Sequence, residues 1–86
     1  MKLEKKPRIG KYHEYERRIL EFLTEQKNSV SSAQIRIRLK IPRSSLYDIL
    51  VKLRDHGHID WIGEFQDQIS MILITKKGKK HLENFN

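Results

Sequence analysis

Residues 41–59, Ile-Pro-Arg-Ser-Ser-Leu-Tyr-Asp-Ile-Leu-Val-Lys-Leu-Arg-Asp-His-Gly-His-Ile, carry an amphipathic helix with a proline at its start and a glycine at its end. Leu46, Ile49, Leu50 and Leu53 fall at i, i+3, i+4 and i+7 and form one apolar stripe. Arg43, Ser44, Ser45, Tyr47, Asp48 and Lys52 point away from that stripe. Short hydroxyls, one aromatic ring and cationic side chains on the outer face of a packed helix suit a DNA major groove.

On either side of this helix the chain divides without long linkers. Residues 12–26 place Tyr12, Tyr15, Ile19, Phe22 and Leu23 at helical spacing, a first amphipathic helix. Residues 1–11 are polar, basic and interrupted by Pro7 and Gly10, and are expected to be a flexible arm. Ser31 and Gln34 have the spacing of a capping box, with Val30 and Ile35 as the flanking apolar pair. Residues 35–39 alternate as a strand does, but the cap favours a short second helix over residues 32–40 that buries Ile35 and Leu39 and exposes Arg36, Arg38 and Lys40. Pro42 is expected to end it, because the residue before a proline is biased out of the α region.

Beyond Gly57, which can take the left-handed position that stops the third helix, residues 58–63 and 69–75 read as two strands. The turn between them is Glu64-Phe65-Gln66-Asp67-Gln68, so the hairpin has an acidic tip. Residues 76–85 close the chain as a short basic helix whose Leu82 and Phe85 pack back on the core.

Composition limits the partners. The 86 residues carry 18 Lys plus Arg against 11 Asp plus Glu, a net charge of +7, which points to a polyanion. The basic residues are not spread evenly: residues 35–54 hold six and one acid, whereas residues 55–75 hold none and four acids. With no cysteine there is no disulfide framework or thiolate metal site, as suits a reducing compartment. The longest apolar run is Met71–Ile74, far short of the roughly 20 residues of a spanning helix. Nor does an apolar segment follow the basic N-terminal residues as in a secretory leader, so a cytoplasmic protein without membrane contact is expected.

Other residue types give little chemistry. His56-Gly57-His58 has two imidazoles close together, but the glycine belongs to the turn and no third ligand follows at metal spacing. No nucleophile elbow or metalloprotease pattern is present, so no catalytic residues, metal or cofactor are expected. Trp61, Phe65 and Met71 read as core or dimer-contact residues rather than a ligand pocket.

Three helices followed by a two-stranded hairpin and a short C-terminal helix make an α+β winged helix-turn-helix, a single domain over residues 12–86. Ser45-Leu46-Tyr47 with Leu50, Leu53, Gly57 and Ile59, then Ile74-Thr75-Lys76-Lys77-Gly78 with Leu82, resembles the core of PadR-like and MarR-like winged-helix regulators. That resemblance implies a transcriptional regulator that binds operator DNA as a homodimer, with the third helix in the major groove. By position it assigns DNA contacts to Arg43, Ser44, Ser45, Tyr47, Asp48 and Lys52, and the exposed Arg36, Arg38 and Lys40 add cations beside them. The chain departs from the family in two ways. Its wing tip is acidic where relatives often carry a basic residue, and their long dimerisation helix is not expected within these 86 residues, so a dimer formed by them would use the first helix, the arm, the last helix or the hairpin. The acidic wing also leaves open a protein-interaction module, and a non-specific nucleic-acid binder is a further alternative.

Overall fold

The computed structural model describes residues 5–63 and 71–85, with side chains from residue 12 onward. The elements run α1 (Lys5–Glu25), β1 (Val30–Ser31), α2 (Ser32–Leu39), α3 (Arg43–Asp55), β2 (Ile59–Ile62), β3 (Met71–Ile74) and α4 (Lys76–Glu83). This is the expected α+β winged helix-turn-helix, with one more strand than the hairpin alone. The acidic turn, residues 64–68, lies outside the described residues.

Two boundaries differ from the sequence reading, each for a local reason. α1 begins at Lys5, so residues 5–11 are helical rather than an irregular arm. Pro7 is the third residue of that helix, where a backbone N–H has no intrahelical acceptor and its loss costs nothing. The second difference is β1. Ser31 is the N-cap of α2, in extended backbone (φ −84, ψ 158), and its side chain accepts from the Gln34 amide at 3.1 Å. An N-cap has β-region dihedrals, so the same residue can cap a helix and pair with a strand. Val30 and Ser31 accordingly lie against Ile72 and Met71 of β3, which becomes the centre of an antiparallel sheet ordered β1-β3-β2.

Helix ends are set by individual residues. α2 stops at Lys40, which takes a left-handed conformation (φ 56) and donates its N–H to the Arg36 carbonyl at 2.8 Å. Thus Lys40, one residue before Ile41-Pro42, is the stop. At the end of α3 the Gly57 amide donates to Arg54 O at 2.9 Å and the His58 amide to Leu53 O at 2.8 Å. That pair of bonds is a Schellman motif, and it requires the positive φ of 77 that Gly57 adopts.

The core joins three helices to the sheet. Leu46, Ile49, Leu50 and Leu53 of α3 are all buried, as their spacing predicts, against Ile19, Leu20, Phe22 and Leu23 of α1. Ile35, Ile41, Val30, Ile59 and Ile72 complete it, with Tyr15, Leu39, Trp61, Ile74, Leu82 and Phe85 packed around the edge. Each fully buried aliphatic contributes about 1.5–3 kcal/mol, so the α3 stripe alone fixes the orientation of that helix strongly. No helix of the described residues is long and apolar enough to cross a membrane.

Candidate nucleic-acid interface

With its apolar stripe buried, α3 turns Ser44, Asp48 and Asp55 directly outward, with Val51 half-buried among them, and its other polar residues to one side or the other. Tyr47 and Arg54 lie on the side of the sheet. The Tyr47 ring meets Trp61 of β2 edge-on at 6.2 Å, and the Arg54 guanidinium lies 5.1 Å from the Trp61 ring centroid. Arg43 stands one turn before Tyr47 on the same side. On the opposite side, toward α1, are Ser45 and Lys52. Ser45 Oγ lies 3.5 Å from the Tyr12 hydroxyl, and Lys52 Nζ is 3.3 Å from Glu16 Oε1.

The residues named from sequence are therefore not one surface. Arg43, Ser44, Tyr47 and Asp48 are exposed and contiguous on the outer and sheet-facing sides of α3, with Ser45 half-buried at the edge. Lys52 is drawn toward α1 by a carboxylate. On α2, Arg36 and Lys40 are exposed, and the Arg38 guanidinium lies 5.7 Å from the Phe22 ring, which holds its stem along α1. α2 is tied down as well: Arg18 Nη2 donates to the Leu39 carbonyl at 2.9 Å, satisfying an end-of-helix acceptor.

Sequence reasoning missed three functional-grade features. Arg54, and its support by Trp61, were missed because the two residues, seven positions apart, meet only through the turn at Gly57, and a cation–π contact leaves no periodic trace. Glu16 was missed although a signal existed. It falls at i+4 from Tyr12 and i−3 from Ile19, within the apolar stripe of α1, where a carboxylate is out of place, and it is 6% exposed. The third feature is the cavity around it, of ≈ 220 Å³, which gathers His13, His56, His58 and His81. Burial first, then the neighbouring His81, Lys77 and His56, hold His58 below the ordinary imidazole range, while Glu16 pulls the other way.

The wing is fastened to the helices through Thr75. Its Oγ1 donates to the Gly57 carbonyl at 2.7 Å and accepts from the Gly78 amide at 3.0 Å, while its own amide donates to His58 O at 3.1 Å. One residue so joins the end of α3, the end of β3 and the start of α4. Gly78 is buried there, and a Cβ in its place would collide with the His58 carbonyl.

The same arrangement of helices and sheet occurs in solved winged-helix structures. The PcaV transcriptional regulator from Streptomyces coelicolor superposes with a TM-score of 0.70 at 18% sequence identity, covering 83% of this chain and 52% of that one. Its complex with its natural ligand gives 0.69 at 18% identity, over 81% and 50%. A point mutant of MepR from S. aureus gives 0.68 at 22% identity, over 81% and 52%. The chain has the winged-helix fold of these MarR-like transcriptional regulators and spans about half their length. No protein-family model and no curated protein matches it.

Proposed function

We propose that this chain binds double-stranded DNA sequence-specifically, as the reading unit of a small transcriptional regulator, with α3 in the major groove. The observation that carries the reading is the set of exposed cations and hydroxyls on α2 and the first turns of α3, Arg36, Lys40, Arg43, Ser44 and Tyr47, on a fold shared with the PcaV transcriptional regulator. Arg36, Arg38, Lys40 and Arg43 supply phosphate contacts, and Ser44 and Ser45 sit in the first turn of α3 where hydroxyls and free amides meet phosphate oxygens. Tyr47 and Arg43 are the candidates for base edges. Asp48, on the outermost line of α3, is tolerable near DNA only if it accepts from a cytosine amino group or braces a neighbouring cation.

The regulator works as a homodimer in this reading, since two copies related by a two-fold axis read paired half-sites about one helical turn apart. Its setting is the cytoplasm, and it uses neither cofactor nor catalysis. A binding selection from random duplexes at moderate salt tests the proposal, with recovery of a palindromic site expected. The reading is wrong if duplex DNA is not retained even at low salt, and the dimer is wrong if the selected site has no two-fold repeat.

A further inference from the structure

All four histidines of the chain line one cavity, although they come from separate parts of the sequence. His13 and Glu16 enter it from α1, Lys52 and His56 from α3, His58 from the approach to β2, and His81 and Phe85 from α4 and the residues after it. Three imidazoles form a ladder. His56 and His58 lie 5.8 Å apart at 18°, and His58 and His81 4.1 Å apart at 12°. Phe85 closes the ladder, edge-on to His81 at 5.1 Å and stacked on His13 at 4.4 Å.

Near-parallel rings set their nitrogens side by side rather than around a common point, so the ladder is not a tetrahedral metal site. Among the described residues no group of three or more His, Cys, Asp or Glu is placed to hold an ion. What the geometry does control is charge. Glu16 is the carboxylate that lines the cavity, and both its oxygens are engaged: Oε1 lies 3.3 Å from Lys52 Nζ and Oε2 3.4 Å from His81 Nε2. His56 Nδ1 is committed to the Lys52 carbonyl at 2.8 Å, His58 Nδ1 is enclosed without a hydrogen-bond partner, and the enclosed His81 Nε2 has the 3.4 Å contact with Glu16 but no aligned hydrogen bond.

A proton on His81 turns its contact with Glu16 into an ion pair. A second proton, on His58, faces that imidazolium across 4.1 Å with Lys77 alongside and Glu16 already shared. Like charges in a partly desolvated stack repel. We propose that the His56, His58 and His81 ladder is a proton-operated latch that holds α4 against α1 and α3 and opens when the ladder takes up a second positive charge.

The direction follows from linkage. His58 binds its proton less readily in the latched state, because of burial and the nearby cations, and recovers its ordinary affinity on release. Release therefore takes up protons: the latch holds at pH values above the ordinary imidazole value and is lost as the pH falls through the depressed one. The elements packed on the ladder offer His13 and Glu16 from α1, Lys52 and His56 from α3, and Lys77 from α4, so among the described residues one carboxylate, Glu16, faces these cations and imidazoles.

The test is amide hydrogen exchange of the whole chain at about pH 7.5 and about pH 5, expressed as protection factors that remove the intrinsic pH dependence of exchange. Amides of α4 should lose protection by about tenfold or more at the lower pH, while those near Leu50 and Leu53 in α3 keep theirs. His58→Phe preserves a ring between His56 and His81 but takes no proton, and should hold α4 in place at both pH values. If that variant is unfolded at neutral pH, His58→Tyr takes its role with the same expected result. The latch is refuted by α4 protection that is equal at both pH values, by a loss shared uniformly with α3, or by a loss that persists in the folded His58 variant. No DNA enters the measurement, so its outcome is separate from that of the DNA-binding reading.

Discussion

The ammonium of Lys52 lies 3.3 Å from Oε1 of Glu16, a carboxylate buried in the packing stripe of α1. The Lys52 side chain is 58% exposed, so solvent screens the pair and its part in stability is small, about 1 kcal/mol at most. Its weight lies in direction. A cation near the C-terminal end of α3 is held on the α1 side instead of reaching toward a phosphate.

Glu16→Gln should therefore free Lys52 with little change in fold. If DNA binds as proposed, affinity should rise and the slope of log K against log salt should become more negative by up to about 0.9, one further counterion released. Binding across a salt series, with a urea midpoint as the stability control, checks this. An unchanged slope with intact folding would mean that Lys52 does not reach the DNA.

Thr75 joins three elements through one hydroxyl, and Thr75→Val removes the N-cap of α4 together with the donor to Gly57 O. A lost cap costs about 1–2 kcal/mol, and the stranded Gly57 carbonyl is exposed enough for water to take up part of its need. Thr75→Ser keeps both bonds and should recover most of the loss. Urea unfolding of the two variants measures the difference, and equal losses would remove the hydroxyl from the account.

Two glycines at the same junction should respond differently to alanine. At Gly78 the added Cβ runs into the His58 carbonyl, backbone that cannot move aside, so the overpacking cost should reach about 1–3 kcal/mol or more. At Gly57 the Cβ would meet only the Lys77 side chain, at an ordinary 3.6 Å, and the penalty is that of a left-handed φ, about 1–2 kcal/mol. Gly78→Ala should be the more destabilised in chemical denaturation. The reverse order would mean that α4 shifts to make room.

How much of this was legible in the sequence depends on how local each cause is. The α3 stripe, the Ser31 cap, Gly57 and the basic fourth helix were readable because each is written within one or two turns of chain. β1 was not, since two residues have no period and Val30 and Ser31 become a strand only because β3 offers them an edge. The start of α1 was obscured by Pro7, which is tolerated in the first turn of a helix, and by Gly10, whose cost of about 1 kcal/mol relative to alanine lowers helix propensity without breaking the helix. Of the candidate site, the exposure of Arg43, Ser44, Tyr47 and Asp48 followed from helical spacing. The attachment of Lys52 to Glu16 did not, because it joins residues 36 positions apart. The histidine cavity likewise needs four segments brought together before it exists.

Trp61 gives a way to alter recognition without touching a proposed DNA contact. It is half-buried on β2, with Tyr47 against its edge and Arg54 over its face, so it fixes both α3 side chains from behind. Trp61→Leu keeps an apolar side chain for the core but removes the quadrupole that holds the guanidinium, worth about 0.5–1 kcal/mol at an exposed site. Freed of that support, Tyr47 samples more rotamers, and reading a base then carries an added ordering cost. The variant should narrow the gap between a selected site and random duplex while leaving non-specific affinity nearly constant. Arg36→Gln with Arg38→Gln is the complementary change, expected to weaken all sequences alike and to flatten the salt slope, as phosphate contacts do. Competition binding with both duplexes separates the two. If Trp61→Leu lowers both affinities equally, or if the double Gln change is the one that erodes discrimination, then Tyr47 is not a reader and the base contacts lie on α2.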